Sequence, residues 1–127
     1  MKLIELRIPA GFAVCYNKFY DVEPDPNEDG DGFIKNWHYF TQDLLQIHKM
    51  KIIKGAWIVP KQSQDKLIID LGWSPDSSMD GEYVLVVVNE NWDTLKEKRS
   101  RDRFEIKETL ETWLELIHTN KFIPDIC

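Results

Sequence analysis

The apolar run Tyr-Val-Leu-Val-Val-Val at residues 83–88 constrains the fold more than any other part of the sequence. Aromatic and β-branched residues favour strands. A run without polar interruption is typical of a strand that is covered on both faces, as in the middle of a sheet. We therefore expect residues 82–88 to form a central strand.

Weaker strand patterns lie on both sides of this run. Branched side chains predict strands at residues 3–8, 51–59, 66–71 and, less regularly, 103–106. Residues 13–20 fit either a strand or a short helix. A polar connection at 60–65 and a turn region at 73–81 separate the strands in the middle of the chain.

Two segments predict helices. Residues 40–48 form a short amphipathic pattern with Phe40, Leu44 and Leu45 on its apolar face. A longer helix is predicted at 107–118, with Asn120 as its terminating residue. The apolar stripe of this second helix consists of Ile106, Leu110, Trp113, Leu114 and Ile117.

The order of these elements predicts the fold class. Strands and helices do not alternate regularly, so a parallel nucleotide-binding sheet is not expected. The prediction is an α+β fold, with an antiparallel sheet of about four to six strands and two or more helices packed against it. With 127 residues and no internal repeat or linker, residues 1–127 form a single domain.

An acidic segment at residues 21–32 has no basic residue. Its carboxylates are Asp21, Glu23, Asp25, Glu28, Asp29 and Asp31. Charges at this density stay in water, and the two prolines and two glycines among them oppose regular secondary structure. We therefore expect a negative loop that attracts a metal cation, a basic protein or only counter-ions.

A second acidic cluster follows in the turn region, at Asp76, Asp80 and Glu82. If the fold places it beside the first, the two form one negative surface. Together with Trp73 and Tyr83, this surface would resemble that of an inhibitor, with carboxylates for attraction and aromatic rings as anchors.

The charge balance limits the possible partners. The formal net charge is −6 and the isoelectric point is near 5.0. Phosphate binding needs a cationic surface, so we expect no nucleic acid partner, and a basic protein is favoured. The basic residues between 96 and 107 predict a solvated loop that pairs with neighbouring acids.

Metal and catalytic motifs are incomplete. Asp25, Asn27 and Asp29 with Gly30 match the start of a calcium loop, but Asn36 stands where a bidentate carboxylate must close it. The histidines lack the spacing of zinc ligands, and no nucleophile signature occurs. We expect no metal, no cofactor and no enzymatic activity.

The sequence also predicts where the protein works. Glu5 and Arg7 interrupt the apolar N-terminal residues, which argues against a signal peptide. No apolar run approaches the roughly 20 residues that span a bilayer, so we expect no membrane association. Cys15 and Cys127 form no disulfide framework, and free thiols suit a cytoplasmic protein.

Four segments together resemble the small immunity proteins of bacterial polymorphic-toxin and contact-dependent growth inhibition systems. They are WHYFTQDLLQI at 37–47, GWSPD at 72–76, GEYVL at 81–85, and RFEI at 103–106 running into the helix with Trp113 and Leu114. The resemblance covers most of the chain and rests on no single diagnostic motif.

This resemblance implies that the protein binds and neutralises a cognate toxin domain, commonly a nuclease, without being an enzyme. Charge reasoning assigns the partner-binding residues: Asp25, Glu28, Asp29 and Asp31 first, then Trp73, Asp76, Asp80 and Glu82. The alternative is a small acidic adaptor domain that binds another basic protein, and a calcium-dependent module is a third possibility.

Overall fold

A computed structural model describes residues 2–53, 56–58 and 66–124 of the chain, with the backbone alone described at 51–53 and 56–58. A short 3-10 helix at Trp37–Tyr39 follows the first strand. In order, the strands and the helix of the described residues are β1 (Phe12–Asn17), β2 (Leu45–Lys49), β3 (Lys51–Ile53), β4 (Ala56–Ile58), β5 (Ile68–Ser74), β6 (Glu82–Val88), β7 (Thr94–Ser100) and α1 (Arg103–His118).

Five strands form an antiparallel sheet in the order β1-β2-β5-β6-β7, and β3 pairs with β4 as a separate hairpin. The α+β class and the number of strands in the sheet are therefore confirmed. The strand at 82–88 is also confirmed, and β6 lies inside the sheet between β5 and β7.

The two faces of the sheet differ in how well they are covered. Tyr83, Leu85 and Val87 on β6 are buried in the core beneath α1, whereas Val84 and Val86 on the opposite face are only half-buried. The expectation that β6 is covered on both faces is therefore only partly met. We call the side of the sheet away from α1 the open face.

Helix α1 confirms the predicted apolar stripe, because all five of its residues are buried. The helix starts earlier than expected, so the strand predicted at 103–106 is wrong. Asp102 caps this start by accepting hydrogen bonds from the backbone N–H groups of Phe104 and Glu105, at 2.9 and 3.4 Å. Asn120 follows the end of the helix with a φ of 59°.

The helix predicted at 40–48 is wrong, because residues 45–49 form strand β2. Leu45 and Ile47 are both fully buried, and β2 pairs with β1 on one side and β5 on the other. A strand paired on both sides satisfies its backbone completely, which a nine-residue helix cannot do alone. The prediction of two or more α-helices is not confirmed in the described residues.

Other predicted boundaries shift. Residues 3–8, which the structure describes throughout, contain no strand beyond an isolated bridge between Leu3 and Tyr20, whereas residues 12–17 form strand β1. The segment 51–59 divides into β3 and β4, and Val59, the connection at 60–65 and Cys127 lie outside the described residues.

The basic segment at 96–107 is not the expected loop, because it spans a strand and the start of α1, but Lys98 and Arg99 do pair with the neighbouring acids Glu105 and Glu97. Residues 94–100 form β7, which pairs with β6 and lies at one edge of the sheet. Its alternation of lysine, glutamate and arginine hides the strand pattern. Charges of this kind are typical of an edge strand, where they discourage pairing with a second chain.

Candidate protein-binding site

The two acidic segments lie side by side. The backbone N–H of Ile34 donates to the carbonyl of Ser77 at 2.9 Å, and the N–H of Met79 donates to the carbonyl of Gly32 at 2.8 Å. Phe33 and Ser78 form a bridge between these contacts. Backbone hydrogen bonds thus join the loop that ends near residue 34 to the turn at 75–80, although more than 40 residues separate them in the sequence. We call these two joined stretches the stitched segments.

Trp73 lies buried beneath this turn and is hydrogen-bonded to it. Its ring is fully buried, and its indole N–H donates to the carbonyl of Ser78 at 2.8 Å. The guanidinium of Arg101 lies 5.5 Å from the Trp73 ring centroid and donates to the carbonyls of Met79 and Gly81, at 2.7 and 2.5 Å. Trp73 therefore supports the surface and does not face a partner, which corrects its predicted role.

The core beneath the surface is aromatic. Phe40, Trp73 and Tyr83 are all buried, and the ring centroids of Phe40 and Trp73 lie 4.9 Å apart in an edge-to-face arrangement. Trp73 and Tyr83 meet in the same way at 5.0 Å. The carbonyl of Phe40 also accepts a hydrogen bond from the backbone N–H of Ser77 at 2.8 Å, so the aromatic core fixes the turn at 75–80.

Two aromatic side chains that the sequence reasoning did not select are exposed at the surface. Phe33 is 54% exposed and Trp37 is 56% exposed. They line one open cleft of about 450 Å³, together with Asp31, Lys35 and Ser77. The polar neighbours of Trp37, Asn36 and His38, do not separate it from the buried Trp73, so the sequence carries no clear signal for this ring.

The predicted carboxylates differ in how their charge is used. Glu28 pairs with Lys35 at 3.2 Å, and Glu82 pairs with Arg99 at 3.7 Å. Their charges are therefore partly compensated within the molecule. Glu82 also lies on β6, outside the stitched segments.

Two other carboxylates hold the loops in shape. Asp31 accepts hydrogen bonds from the Asn27 side chain at 3.1 Å and from the Phe33 backbone at 3.0 Å. Asp76 accepts hydrogen bonds from the Ser77 hydroxyl at 2.7 Å and from the Gln42 backbone at 3.3 Å. Both keep their negative charge at the surface while they fix the local backbone.

The remaining three carboxylates are exposed and uncompensated. Across the described residues, the side chains of Asp25, Asp29 and Asp80 form no hydrogen bond and no ion pair. We define the acidic–aromatic surface as the residues of the two stitched segments that can meet a partner: Asp25, Asp29, Asp31, Phe33, Trp37, Asp76 and Asp80.

The first part of the acidic segment is attached to the helix. The guanidinium of Arg103 donates to Asp21 at 2.8 Å and also bonds Glu23. Burial acts to lower the pKa of Arg103, but its hydrogen bonds to the two carboxylates outweigh burial and raise that pKa. Asp21 and Glu23 are therefore structural, and the free charge of the segment begins at Asp25.

The described residues of the site carry negative charge and aromatic surface. In the parts of the chain that the structure describes, no three His, Cys, Asp or Glu side chains are grouped so that they could hold a metal ion. Within the same residues, no helix is long and apolar enough to cross a bilayer. The described surface can attract a cationic partner and bury two aromatic rings against it.

Comparison of the chain with known protein families, with curated proteins and with solved structures finds no match.

Proposed function

We propose that the protein is an immunity protein, which binds a basic toxin domain, with a nuclease as the expected class, and blocks it. One observation supports this above all: two acidic segments distant in the sequence are stitched into one surface with two exposed aromatic rings. The resemblance of the sequence to immunity proteins adds to it.

The charges would act before contact is made. A negative surface steers a cationic partner and raises the association rate constant from about 10⁵–10⁶ M⁻¹s⁻¹ towards about 10⁸ M⁻¹s⁻¹ at low salt. Asp25, Asp29 and Asp80 are suited to this because no basic side chain in the described residues pairs with them. Fast capture matters for a protein that must meet an incoming toxin.

The aromatic rings would supply affinity after contact. Large rigid rings dominate binding energy when they are buried at the centre of an interface. Phe33 and Trp37 border the same cleft, so one protrusion of the partner could contact both. Nuclease domains are cationic where they bind phosphates. If the protrusion lies beside the catalytic groove, this protein would cover the groove when it binds the protrusion.

The test uses the C-terminal domain of the protein encoded immediately upstream of this chain. Wild-type protein should form a one-to-one complex with that domain and inhibit its activity. Trp37→Ala and Phe33→Ala should each weaken the complex by about tenfold or more. If both variants bind with the affinity of the wild type, the two rings do not contact the partner, and this surface has no part in the function.

Matched controls exist elsewhere on the molecule. Trp92 is 55% exposed and Phe104 is 51% exposed, and both lie outside the acidic–aromatic surface. Trp92→Ala and Phe104→Ala should leave affinity and inhibition unaltered. Tight binding without inhibition would instead support the alternative, a small acidic adaptor domain for a basic protein.

A further inference from the structure

One carboxylate of the open face, that of Asp70, lies on an inner strand of the sheet. Asp70 lies on β5, opposite Gln46 of β2 and Val86 of β6. Its neighbours in sequence, Ile69 and Leu71, point to the other side and are buried in the core. The alternation of the strand therefore fixes Asp70 on the open face.

One oxygen of this carboxylate has no partner. Oδ1 of Asp70 is buried and makes no hydrogen bond to any part of the chain that the structure describes. Burial, and after it the charge of Asp43, raises the pKa of Asp70 to about 6, although a backbone hydrogen bond at Leu71 opposes the shift. A buried carboxylate oxygen without a partner is costly, and a cation beside the carboxylate would offset part of that cost.

A cavity gives access to Asp70. It has a volume of about 210 Å³, and its apolar wall is formed by Val84 and Val86. Gly72 also lines it and packs so tightly that a Cβ atom there would lie 2.2 Å from the carbonyl oxygen of Gln42. The cavity thus has an apolar wall, one acid, Asp70, and one base, Arg99.

The charges around the cavity favour a cation. Asp43 and Tyr16 are the titratable neighbours on the side of β1 and β2, and both Asp70 and Asp43 raise the pKa of Tyr16 after its burial. On the other side, Arg99 itself lines the cavity, and its guanidinium is directed to Glu97 at 3.4 Å and Glu82 at 3.7 Å. Its charge is therefore compensated by its own neighbours.

The cavity adjoins the acidic–aromatic surface. Gln42 lines the cavity, and its backbone N–H donates to Asp76 of that surface at 3.3 Å. A partner seated on the surface would therefore reach the cavity with one long side chain. Gln42 thus contacts both the cavity and the acidic–aromatic surface.

We propose that the cavity receives the guanidinium group of an arginine from the partner, which binds Asp70 while its flat face lies on Val84 and Val86. Guanidinium can donate to the part of the Asp70 carboxylate that lines the cavity, and it is weakly hydrated, so it tolerates an apolar wall better than ammonium does. A divalent metal would need more oxygen ligands than this cavity provides. The inference rests on the proposed function and specifies how the partner is held.

The first experiment needs no partner. Methylguanidinium chloride is titrated into the protein while the carboxyl carbon of Asp70 is followed by NMR. Saturable shifts are expected at Asp70 and at the methyl groups of Val84 and Val86, and the pKa of Asp70 should fall. Asp70→Asn should abolish the saturable shifts at the valines, whereas Asp80→Asn should preserve them. Identical shifts in wild type and Asp70→Asn would overturn the inference.

The second experiment separates this inference from the proposed function. With the upstream-encoded domain, Asp70→Asn should reduce affinity by about ten- to a hundredfold, chiefly through faster dissociation. If Asp70→Asn keeps the affinity of the wild type while Trp37→Ala binds more weakly, the arginine site is overturned and the proposed function stands. Saturable methylguanidinium binding without any complex would support the cavity and contradict the proposed function.

Discussion

The backbone N–H of Gln42 donates a hydrogen bond to Oδ2 of Asp76, 34 residues further along the chain, at 3.3 Å. This contact joins the turn at 75–80 to the residues that precede β2. Asp76→Ala removes it together with the hydrogen bond from the Ser77 hydroxyl. We expect a loss of about 1 kcal/mol in the free energy of unfolding, measured with urea. Asp80→Ala, whose side chain bonds nothing in the described residues, should change it by less than half as much.

Gly72 has room for a hydrogen only. A methyl group there would lie 2.2 Å from the carbonyl oxygen of Gln42, which is backbone and cannot rotate away. We expect Gly72→Ala to cost about 1–3 kcal/mol in the free energy of unfolding, since the strand must shift to relieve the overlap. Ser74→Ala, at the exposed end of the same strand, is the control and should be close to neutral. Equal stability of the two variants would contradict the close approach.

Asp70 should make the stability of the protein depend on pH. Its pKa is raised from 3.8 to about 6 in the folded state, so ionisation there opposes folding. The penalty is absent below about pH 4, grows as the pH rises, and is complete above about pH 6. Because the side chain is only half-buried and water screens its charge, the penalty stays well below the roughly 3 kcal/mol of the full shift. Asp70→Asn should therefore be more stable than wild type at pH 8 and equal to it at pH 4. Urea unfolding at both pH values measures this.

The stability of Asp70→Asn at pH 8 can also contradict this account of Asp70. A variant that is no more stable than wild type at pH 8 would mean that water or an unseen contact satisfies the carboxylate. Asp80→Asn is the control for the change of charge, because Asp80 is exposed. Its difference from wild type should not change between the two pH values.

Arg103 should contribute more to the free energy of unfolding than Arg99 does. Its side chain is 16% exposed and bonds Asp21 and Glu23, whereas the side chain of Arg99 is 50% exposed. Arg103→Met should cost about 1–2 kcal/mol, because it leaves two carboxylates without their cation at the base of the acidic segment. Arg99→Met should cost less than about 0.5 kcal/mol. Urea unfolding at low and high salt compares them.

Elements with one unambiguous pattern could be predicted from the sequence. The stripe of α1 has helical spacing over three turns, and β6 has no polar interruption, so each admits one interpretation. Strand β2 was mistaken for a helix because two adjacent leucines and an isoleucine fit both periods over so short a segment. Its pairing with β1 and β5 decided the outcome, and such pairing is not visible locally.

The acidic part of the site could also be predicted, since exposed carboxylates need no tertiary information. The aromatic part could not. Trp73 and Trp37 are the same residue type in similar polar surroundings, but one ring is fully buried and the other is 56% exposed. Asp70 was missed for a related reason. Its isolation depends on which face of the sheet α1 covers.

The central claim is that an uncompensated negative surface draws in a basic partner. Its most direct test is the association rate constant with the upstream-encoded domain, measured by stopped flow between low and high salt. The triple variant Asp25→Asn, Asp29→Asn, Asp80→Asn should associate several-fold more slowly than wild type at low salt. It should also show a weaker dependence on salt.

The matched control changes the same amount of charge on other faces of the molecule, with Glu5→Gln, Glu108→Gln and Glu115→Gln, and should stay close to wild type. A triple variant of the acidic surface that associates as fast as this control at every salt concentration would contradict the claim.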